Sequence, residues 1–468
     1  DALTINNLRG LTVNNSFVNN GYLLVDAGPN GQSGSFITKG SISGTGTMAF
    51  KSAISKNKWH CISSPVTNAQ IEIVFSDLAS INNNFYRYDE TVSSNYWVQQ
   101  TTGTMNVGKG FYTYYFNNKY KTYTGTFNTG NITISNLTYT ETGRSGWNFV
   151  GNPYPSSIDW DASGWTKTNL EDAVYIKNGE GWDQYVGGLG DCRYIYPGQG
   201  FFVKALSGGG SLSFSNSVRL HRPSDNLKNN SELLDPVIKL QITNDSLTNS
   251  MYLRLKPDAT PAFDRQWDAF KIFSENTLYP EIYSLSSAYD SLSINSLPYT
   301  GNIMSIPVGL KIGTPGFYKI NKVQLLNFTD FNSVFLEDMQ EGIITNLKTD
   351  SSYAFYSNAI NTTSRFRLVF SASTSTNVKE ESNDKFSITQ PYFNGDEIWI
   401  LINYCNCNDI NVELFDITGK LIFSNKYPIG SNSDLISIKY HNIQSGYYFI
   451  KLNNSKETIV RKLLYISK

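Results

Sequence analysis

Apolar runs in this chain are short, alternate with polar residues, and are cut by Gly, Asn or Pro clusters about every eight to twelve residues. Ile71-Glu72-Ile73-Val74-Phe75, Gly110-Phe111-Tyr112-Thr113-Tyr114-Tyr115-Phe116 and Asn131-Ile132-Thr133-Ile134 set the pattern, and Val237 to Ile242, Met251 to Leu255 and Arg365 to Phe370 continue it. A period of two sends successive side chains to opposite faces of a strand. Helical periodicity is nearly absent, with one short candidate around Phe263 to Phe270. An aromatic share of 14% and 36 Gly fit strands and tight turns better than helices. The chain is therefore expected to be all-β.

At about 150 residues per domain, 468 residues predict roughly three domains. Two Ser-, Asn- and charge-rich stretches read as linkers, 223–236 and 372–385. Ahead of them, residues 1–47 differ from the rest. Leu3-Thr4-Ile5, Leu11-Thr12-Val13, Tyr22-Leu23-Leu24-Val25, Ser35-Phe36-Ile37 and Ser41-Ile42 are very short strands separated by Asn/Gly corners. That rhythm predicts coils of a parallel β-solenoid, with an ordinary meander as the alternative. An uncapped solenoid end exposes strand edges, so further coils upstream or a partner chain is expected, including end-to-end homo-oligomers through that end. The expected architecture is a short parallel β-solenoid end (1–47), two jelly-roll-like β-sandwich modules (48–222 and 237–371), and an immunoglobulin-like sandwich in the tail (386–468).

Charge excludes some functions. Lys+Arg 38 against Asp+Glu 39 leaves a net charge of -1, with no cation excess to displace counterions from phosphate, so no nucleic-acid partner is expected. The hydrophobic share of 40% is enough to build cores, unlike that of a disordered acidic chain. Apolar runs such as Ile398 to Ile402 fall far short of the roughly 18–20 residues of a membrane-spanning helix, so no transmembrane segment is expected. Asp1-Ala2-Leu3-Thr4-Ile5 shows neither the basic nor the apolar region of a signal peptide, as in a secreted chain in mature or truncated form. Cys61 and Cys192 fall in one expected module and form a candidate disulfide. Cys405 and Cys407 lack the additional ligands a zinc site requires.

Residues that carry chemistry are sparse. His60, His221 and His441 form no local cluster, and no GxSxG, HExxH or Walker loop is present. Asp159 and Asp161 around Trp160 could ligate Ca²⁺ or act as acids, or simply belong to the turn after Pro153-Tyr154-Pro155. Trp97, Trp147, Trp160, Trp165 and Trp182 crowd the first sandwich, where such residues stack on sugars or fill a core. No catalytic residue, metal site or cofactor is expected, and the chain is read as a non-enzyme.

The tail carries the sharpest motifs. A strand ends in Asp416-Ile417-Thr418-Gly419-Lys420, another opens with Gly446-Tyr447-Tyr448-Phe449, and the chain closes with Arg461-Lys462-Leu463-Leu464 and Lys468. The D-x-T-G-[KR], G-x-Y-[FIV] and K-L-[LIV] elements, in this order at the terminus, resemble the type A C-terminal sorting domain of proteins exported by the type IX secretion system of Bacteroidota. The Cys405-x-Cys407 pair departs from that family without touching the three motifs. Upstream, Trp59 to Val66, Gly146 to Pro155 and Tyr196 to Val203 resemble a module of large secreted Bacteroidota surface proteins. Phe263 to Lys271 and Val334 to Asp338 resemble a second module that commonly follows it.

The resemblance implies a secreted, cell-surface protein carried through the periplasm, an adhesin or structural stalk, with Asp416, Thr418, Gly419, Lys420, Gly446, Tyr448, Lys462 and Lys468 as the sorting signal. Its implied partners are the translocon, shuttle and sortase components of the machinery, and surface lipopolysaccharide or glycan. In that phylum the D-[ST]-[AILVMT] pattern makes Ser246 and Ser291 candidate O-glycosylation sites. Three alternatives remain open: carbohydrate binding by the Trp-rich sandwich, a carrier region for an enzyme encoded upstream, and a self-assembling extracellular filament subunit.

Overall fold

The first fifty residues pair in parallel. The computed structural model describes residues 1–28, 32–93, 95–141, 145–221, 234–244, 246–299, 304–372, 386–388, 391–394, 397–404, 407–429, 434–439 and 446–465. In it, Gly10–Val13 pairs with Ser35–Thr38, Phe17–Val18 with Ile42–Ser43, and Tyr22–Val25 with Thr47–Ile54, all in parallel. In each ladder the partner lies 25 residues further on, from 10 to 35, 17 to 42 and 22 to 47. Ala2–Ile5 adds in parallel to Tyr22–Val25. Parallel neighbours need long connections, and here Asn and Gly corners supply them. Buried Asn19 donates to the Thr47 carbonyl at 3.1 Å and accepts from the Gly21 amide at 3.2 Å, tying the corner to the start of the next strand. Gly44, at φ +102, passes so close to the coil before it that a Cβ would sit 2.1 Å from the Asn19 carbonyl oxygen. Leu23, Val25, Phe36 and Phe50 point inward and are buried.

Thr47–Ile54 has a second role, pairing antiparallel with Lys119–Thr124. One apolar cluster accordingly runs from Ile5 to Phe127, so the parallel ladders and the following strands share a core. Within it, Ile71–Val74 is one turn of α-helix, which corrects the strand expected at Ile71 to Phe75. Ile71 and Val74, three apart, are buried while Ile73 faces solvent, so the alternation that mimicked a strand serves a helical turn. A second cluster, from Ile134 to Val218, sits among the sheets that contain Trp147–Gly151, Gly200–Lys204, Val174–Asn178 and Gly181–Val186, and Ile132–Leu137, Gly210–Phe214 and Trp165–Thr168. The buried Arg219 guanidinium ties the first ladders to this region, donating to the Phe36 carbonyl at 2.8 Å and the Thr38 carbonyl at 3.2 Å. Burial pulls its pKa down to about 10.

The chain divides into two units. The first is Asp1–Leu234 with Ala259–Tyr279 and Leu292–Ser296, the second Asp235–Asp258, Pro280–Ser291 and Leu297–Lys468. The helix expected around Phe263 to Phe270 is absent. Asp264 instead anchors a single turn, its carbonyl accepting from the Trp267 and Asp268 amides at 2.9 and 2.8 Å, before a two-residue strand, Ala269–Phe270.

In the second unit, strands Thr248–Leu255, Val237–Thr243, Gly316–Leu326 and Ser352–Ser357 pair antiparallel in that order, as do Ile343–Asn346, Phe331–Asp338, Ile360–Ala372, Met304–Ile312 and Glu281–Leu285, and all belong to one sheet. Their alternate residues fill one apolar cluster. Buried Arg365 faces buried Asp338 in it, with Nη2 to Oδ2 at 2.8 Å. The tail forms two antiparallel sheets, one centred on Glu397–Tyr404 and one ordered Leu421–Pro428, Asp409–Asp416, Gly446–Asn453, Thr458–Tyr465. Ile398, Ile400 and Ile402 from the first, and Ile410, Val412, Leu414, Ile450 and Leu452 from the second, belong to one buried cluster. Among the described residues the protein is nearly all-β, and no helix is long and apolar enough to cross a membrane. Most of linker 223–236, and all but the first residue of linker 372–385, lie outside the described residues.

Candidate functional site

The tail motif is a hairpin knotted by one carboxylate. Asp409–Asp416 and Leu421–Pro428 pair antiparallel up to Phe415 opposite Leu421. Between them Asp416 Oδ1 accepts from the Thr418 amide at 2.8 Å, the Thr418 hydroxyl at 2.7 Å and the Lys420 amide at 3.0 Å. The Asp416 amide donates to the Lys420 carbonyl, and the Gly419 amide to the Asp416 carbonyl, each at 3.0 Å. Gly419 takes φ +84, a left-handed conformation costly to any residue with a Cβ. Three positions of D-x-T-G-K thus have a local reason in their side chain or backbone type, the Asp416 acceptor, the Thr418 hydroxyl and the left-handed Gly419, while Lys420 contributes its backbone amide. The hydrogen bonds from Thr418, with the Lys420 amide next, hold the Asp416 carboxyl below the usual carboxylate range.

Asp416 lies opposite Tyr448, which is buried, on the neighbouring strand. Gly446 opens that strand opposite Tyr465, and Lys462 sits opposite Phe449. Lys468 lies outside the described residues. Around the turn, Ile417, Leu421 and Ile422 are exposed, and Leu421–Pro428 is the edge strand of its sheet among the described residues. The hairpin therefore offers apolar side chains and open strand backbone to a partner.

The tryptophans divide between two environments. Trp160 is buried, its Nε1 donating to the Asp172 carbonyl at 2.7 Å, and Trp165 packs on it at 4.6 Å with Nε1 donating to the Asp159 carbonyl at 2.7 Å. Both are structural. Trp97, Trp147 and Trp182 instead line a cavity of about 240 Å³ in the first unit. Trp97 stacks on Tyr112 at 4.6 Å, and Trp59 stacks on Tyr112 as well, at 4.4 Å. Phe202 is the hub, meeting Tyr88, Trp97, Trp147 and Trp182 edge-on at 4.8, 6.0, 6.0 and 5.2 Å. Lys177 and Trp182 are directly opposed across the hairpin, with the ammonium 5.2 Å from the indole ring. Trp97 Nε1 donates to Glu275 Oε1 at 3.3 Å. Tyr88, Tyr112, Phe202 and Glu275 were not singled out in the sequence. The one available signal was the Phe201-Phe202 pair, whose alternate faces send Phe201 into the core cluster and Phe202 to the cavity.

The remaining candidates have structural explanations or none. Arg193 holds Asp159 in a bidentate pair, 2.7 Å for each bond, and reaches Asp161 at 3.2 Å, while Tyr185 donates to Asp161. These bonds support the turn reading of the two carboxylates. His221 lies on a cavity of about 420 Å³. Its nitrogens bond the Ser35 and Thr12 hydroxyls at 2.9 and 2.8 Å, which leaves neither for an orienting carboxylate. Burial lowers its pKa, with Arg219 adding to the effect. His60 bonds the Ser55 carbonyl at 2.9 Å, and His441 lies outside the described residues.

The expected Cys61–Cys192 bridge does not form, because the two thiols are engaged separately. Cys192 is buried in the core cluster with Sγ 3.7 Å from the Val174 carbonyl, whereas Cys61 bonds the Lys177 backbone, and burial pushes its thiol up to about 12. Cys407 is disulfide-bonded, and Cys405 lies outside the described residues. Ser246 is exposed in a turn and Ser291 is half-buried at the start of a strand, while Asp245 lies outside the described residues.

Residues 394–466 match the family described as "Secretion system C-terminal sorting domain". The protein is a type IX secretion substrate, directed to the cell surface or extracellular space. No curated protein matches the chain. Among solved structures it is similar to "Biofilm associated protein - BSP domain", at 9% identity and a TM-score of 0.18, covering 72% of this chain and 63% of that one. It is also similar to a Ruminococcus gnavus beta-glucuronidase in complex with uronic isofagomine, at 8% identity and a TM-score of 0.13, covering 88% of this chain and 43% of that one. The chain spans less than two thirds of either structure's length. Residues 1–179 and 163–370 match the family described as "Domain of unknown function (DUF8693)", and the chain belongs to that family.

Proposed function

We propose that this chain is a non-enzymatic component of the cell surface, an adhesin or structural stalk, and that its tail is a folded export address. The observation that carries this reading is the coincidence of the Asp416-centred hairpin with the sorting-domain match over 394–466. The machinery docks on the exposed turn and the open edge of Leu421–Pro428, and the upstream regions are the cargo. That cargo is read as solenoid coils followed by two sandwiches, and the tail as an immunoglobulin-like sandwich. The 25-residue step shared by three of the four parallel ladders supports the solenoid, and the single shared core of two antiparallel sheets supports the tail sandwich. The non-enzymatic reading draws support from the engagement of His221 by two hydroxyls and of Asp159 and Asp161 by Arg193.

The test is a chain truncated before residue 386, expressed in type IX-competent cells and followed by fractionation and protease shaving of intact cells. It is expected to accumulate, folded, in the periplasm while the full chain reaches the surface. Normal display of the truncated chain overturns the reading.

A second reading, end-to-end self-association, is favoured by one feature. Among the described residues, Ala2–Ile5, Gly10–Val13 and Phe17–Val18 each pair on one side only. Sedimentation at two concentrations separates it from a monomeric stalk.

A further inference from the structure

We infer that the aromatic cavity of the first unit is a binding site for a single sugar ring. The inference goes beyond export and rests on residues that are not part of the tail, so it stands or falls independently of the sorting signal. At about 240 Å³ the cavity is smaller than the roughly 300–1,000 Å³ typical of drug-sized ligands, which suits one pyranose rather than an oligosaccharide. It is lined by the aromatic rings of Trp97, Tyr112, Trp147, Trp182 and Phe202. Such surfaces take the C–H face of a sugar, which is apolar on that side and hydroxylated around its rim.

The polar groups at the cavity match that rim. Lys177 supplies an ammonium with three N–H donors, one of which bonds the Glu180 carbonyl at 2.8 Å, and Glu275 a carboxylate acceptor. The Trp97 indole takes one bond of that carboxylate, which can accept several. The platform is held before any ligand arrives. The Trp97 amide donates to Asn95 Oδ1 at 3.2 Å, its ring stacks on Tyr112, and its Nε1 is tied to Glu275.

An aromatic cage with a carboxylate also suits a quaternary ammonium ion. Here the charge argues against it. The protein's own Lys177 ammonium already lies over the Trp182 ring and would repel a second cation. A neutral, polyhydroxylated ring meets no such obstacle.

The experiment uses the full chain, a panel of methyl pyranosides covering the common hexose, deoxyhexose and N-acetylhexosamine rings, and tetramethylammonium as the competing probe. Binding is followed by saturation-transfer NMR and by tryptophan fluorescence. At least one glycoside is expected to bind saturably. Trp97→Ala should weaken it roughly tenfold, in line with the loss of one stacking partner. Glu275→Gln and Lys177→Met, both at polar groups of the site, should each weaken it by several-fold, roughly what one charge-assisted hydrogen bond contributes. These two variants carry the test if the melting curve shows that Trp97→Ala does not fold. Failure of every glycoside to bind, binding that none of the folded variants alters, or binding of tetramethylammonium in place of the glycosides would each overturn the assignment.

Discussion

The tail hairpin and the aromatic cavity are opposite ways of building a recognition surface. The hairpin is made by five consecutive residues whose bonds all return to Asp416, and it stands exposed to solvent. The cavity draws Tyr88, Tyr112, Trp147, Trp182, Phe202 and Glu275 from six separate stretches of chain. A local knot can be carried on many proteins as an address, because it asks little of its cargo. A distributed pocket exists only when long-range packing is right, so binding there is coupled to the stability of the whole unit. Substitutions in the pocket should therefore be felt throughout that unit, and those in the hairpin only nearby.

The largest effect is expected at Phe202. Truncation by Phe202→Ala removes the ring that five other aromatics touch and should destabilise the first unit by about 3–5 kcal/mol in urea unfolding. A loss below about 1 kcal/mol would mean that the cavity is not part of the packing. Arg193→Met comes next. It leaves the half-buried Asp159 and Asp161 without their cation, at a cost of about 2 kcal/mol, and a neutral outcome would reopen the calcium reading. Gly419→Ala should cost about 1 kcal/mol for its positive φ alone, because an added Cβ meets nothing within 4 Å. Amide exchange should rise only in the turn.

The smallest effect is the hairpin's response to pH. The folded Asp416 carboxyl titrates below its unfolded value of about 3.9. Its stabilisation is therefore complete above the unfolded value and is lost as pH falls through the folded one. The Thr418 and Lys420 amide resonances should shift with a midpoint below that of a free aspartate, and a midpoint at or above it would mean the knot is not formed.

How much of this was legible in the sequence follows the same division. The D-x-T-G-K hairpin could be read directly because all its contacts lie within five residues, of which Asp416, Thr418 and Gly419 are each of a type with one evident role. The all-β character and the short parallel strands were legible from period two and from Asn and Gly corners. Ile71 to Phe75 and Phe263 to Phe270 were misread because short apolar runs fit either period, and their true form is decided by which neighbours bury them. The Cys61–Cys192 bridge failed because sharing a module does not bring two thiols within bonding geometry. The tryptophan count could not separate Trp160 and Trp165, which serve the core, from Trp97, Trp147 and Trp182, which face the cavity. That depends on the sheets each strand joins, and composition carries no record of it.

The claim that address and cargo are separable has one direct test, the surface-exposed fraction of two full-length variants measured side by side by protease shaving of intact type IX-competent cells. Asp416→Ala should stay inside the cell envelope, while Trp97→Ala, at the cavity, should reach the surface as the unaltered chain does. Surface display of Asp416→Ala at the unaltered level, or retention of a folded Trp97→Ala, would contradict it.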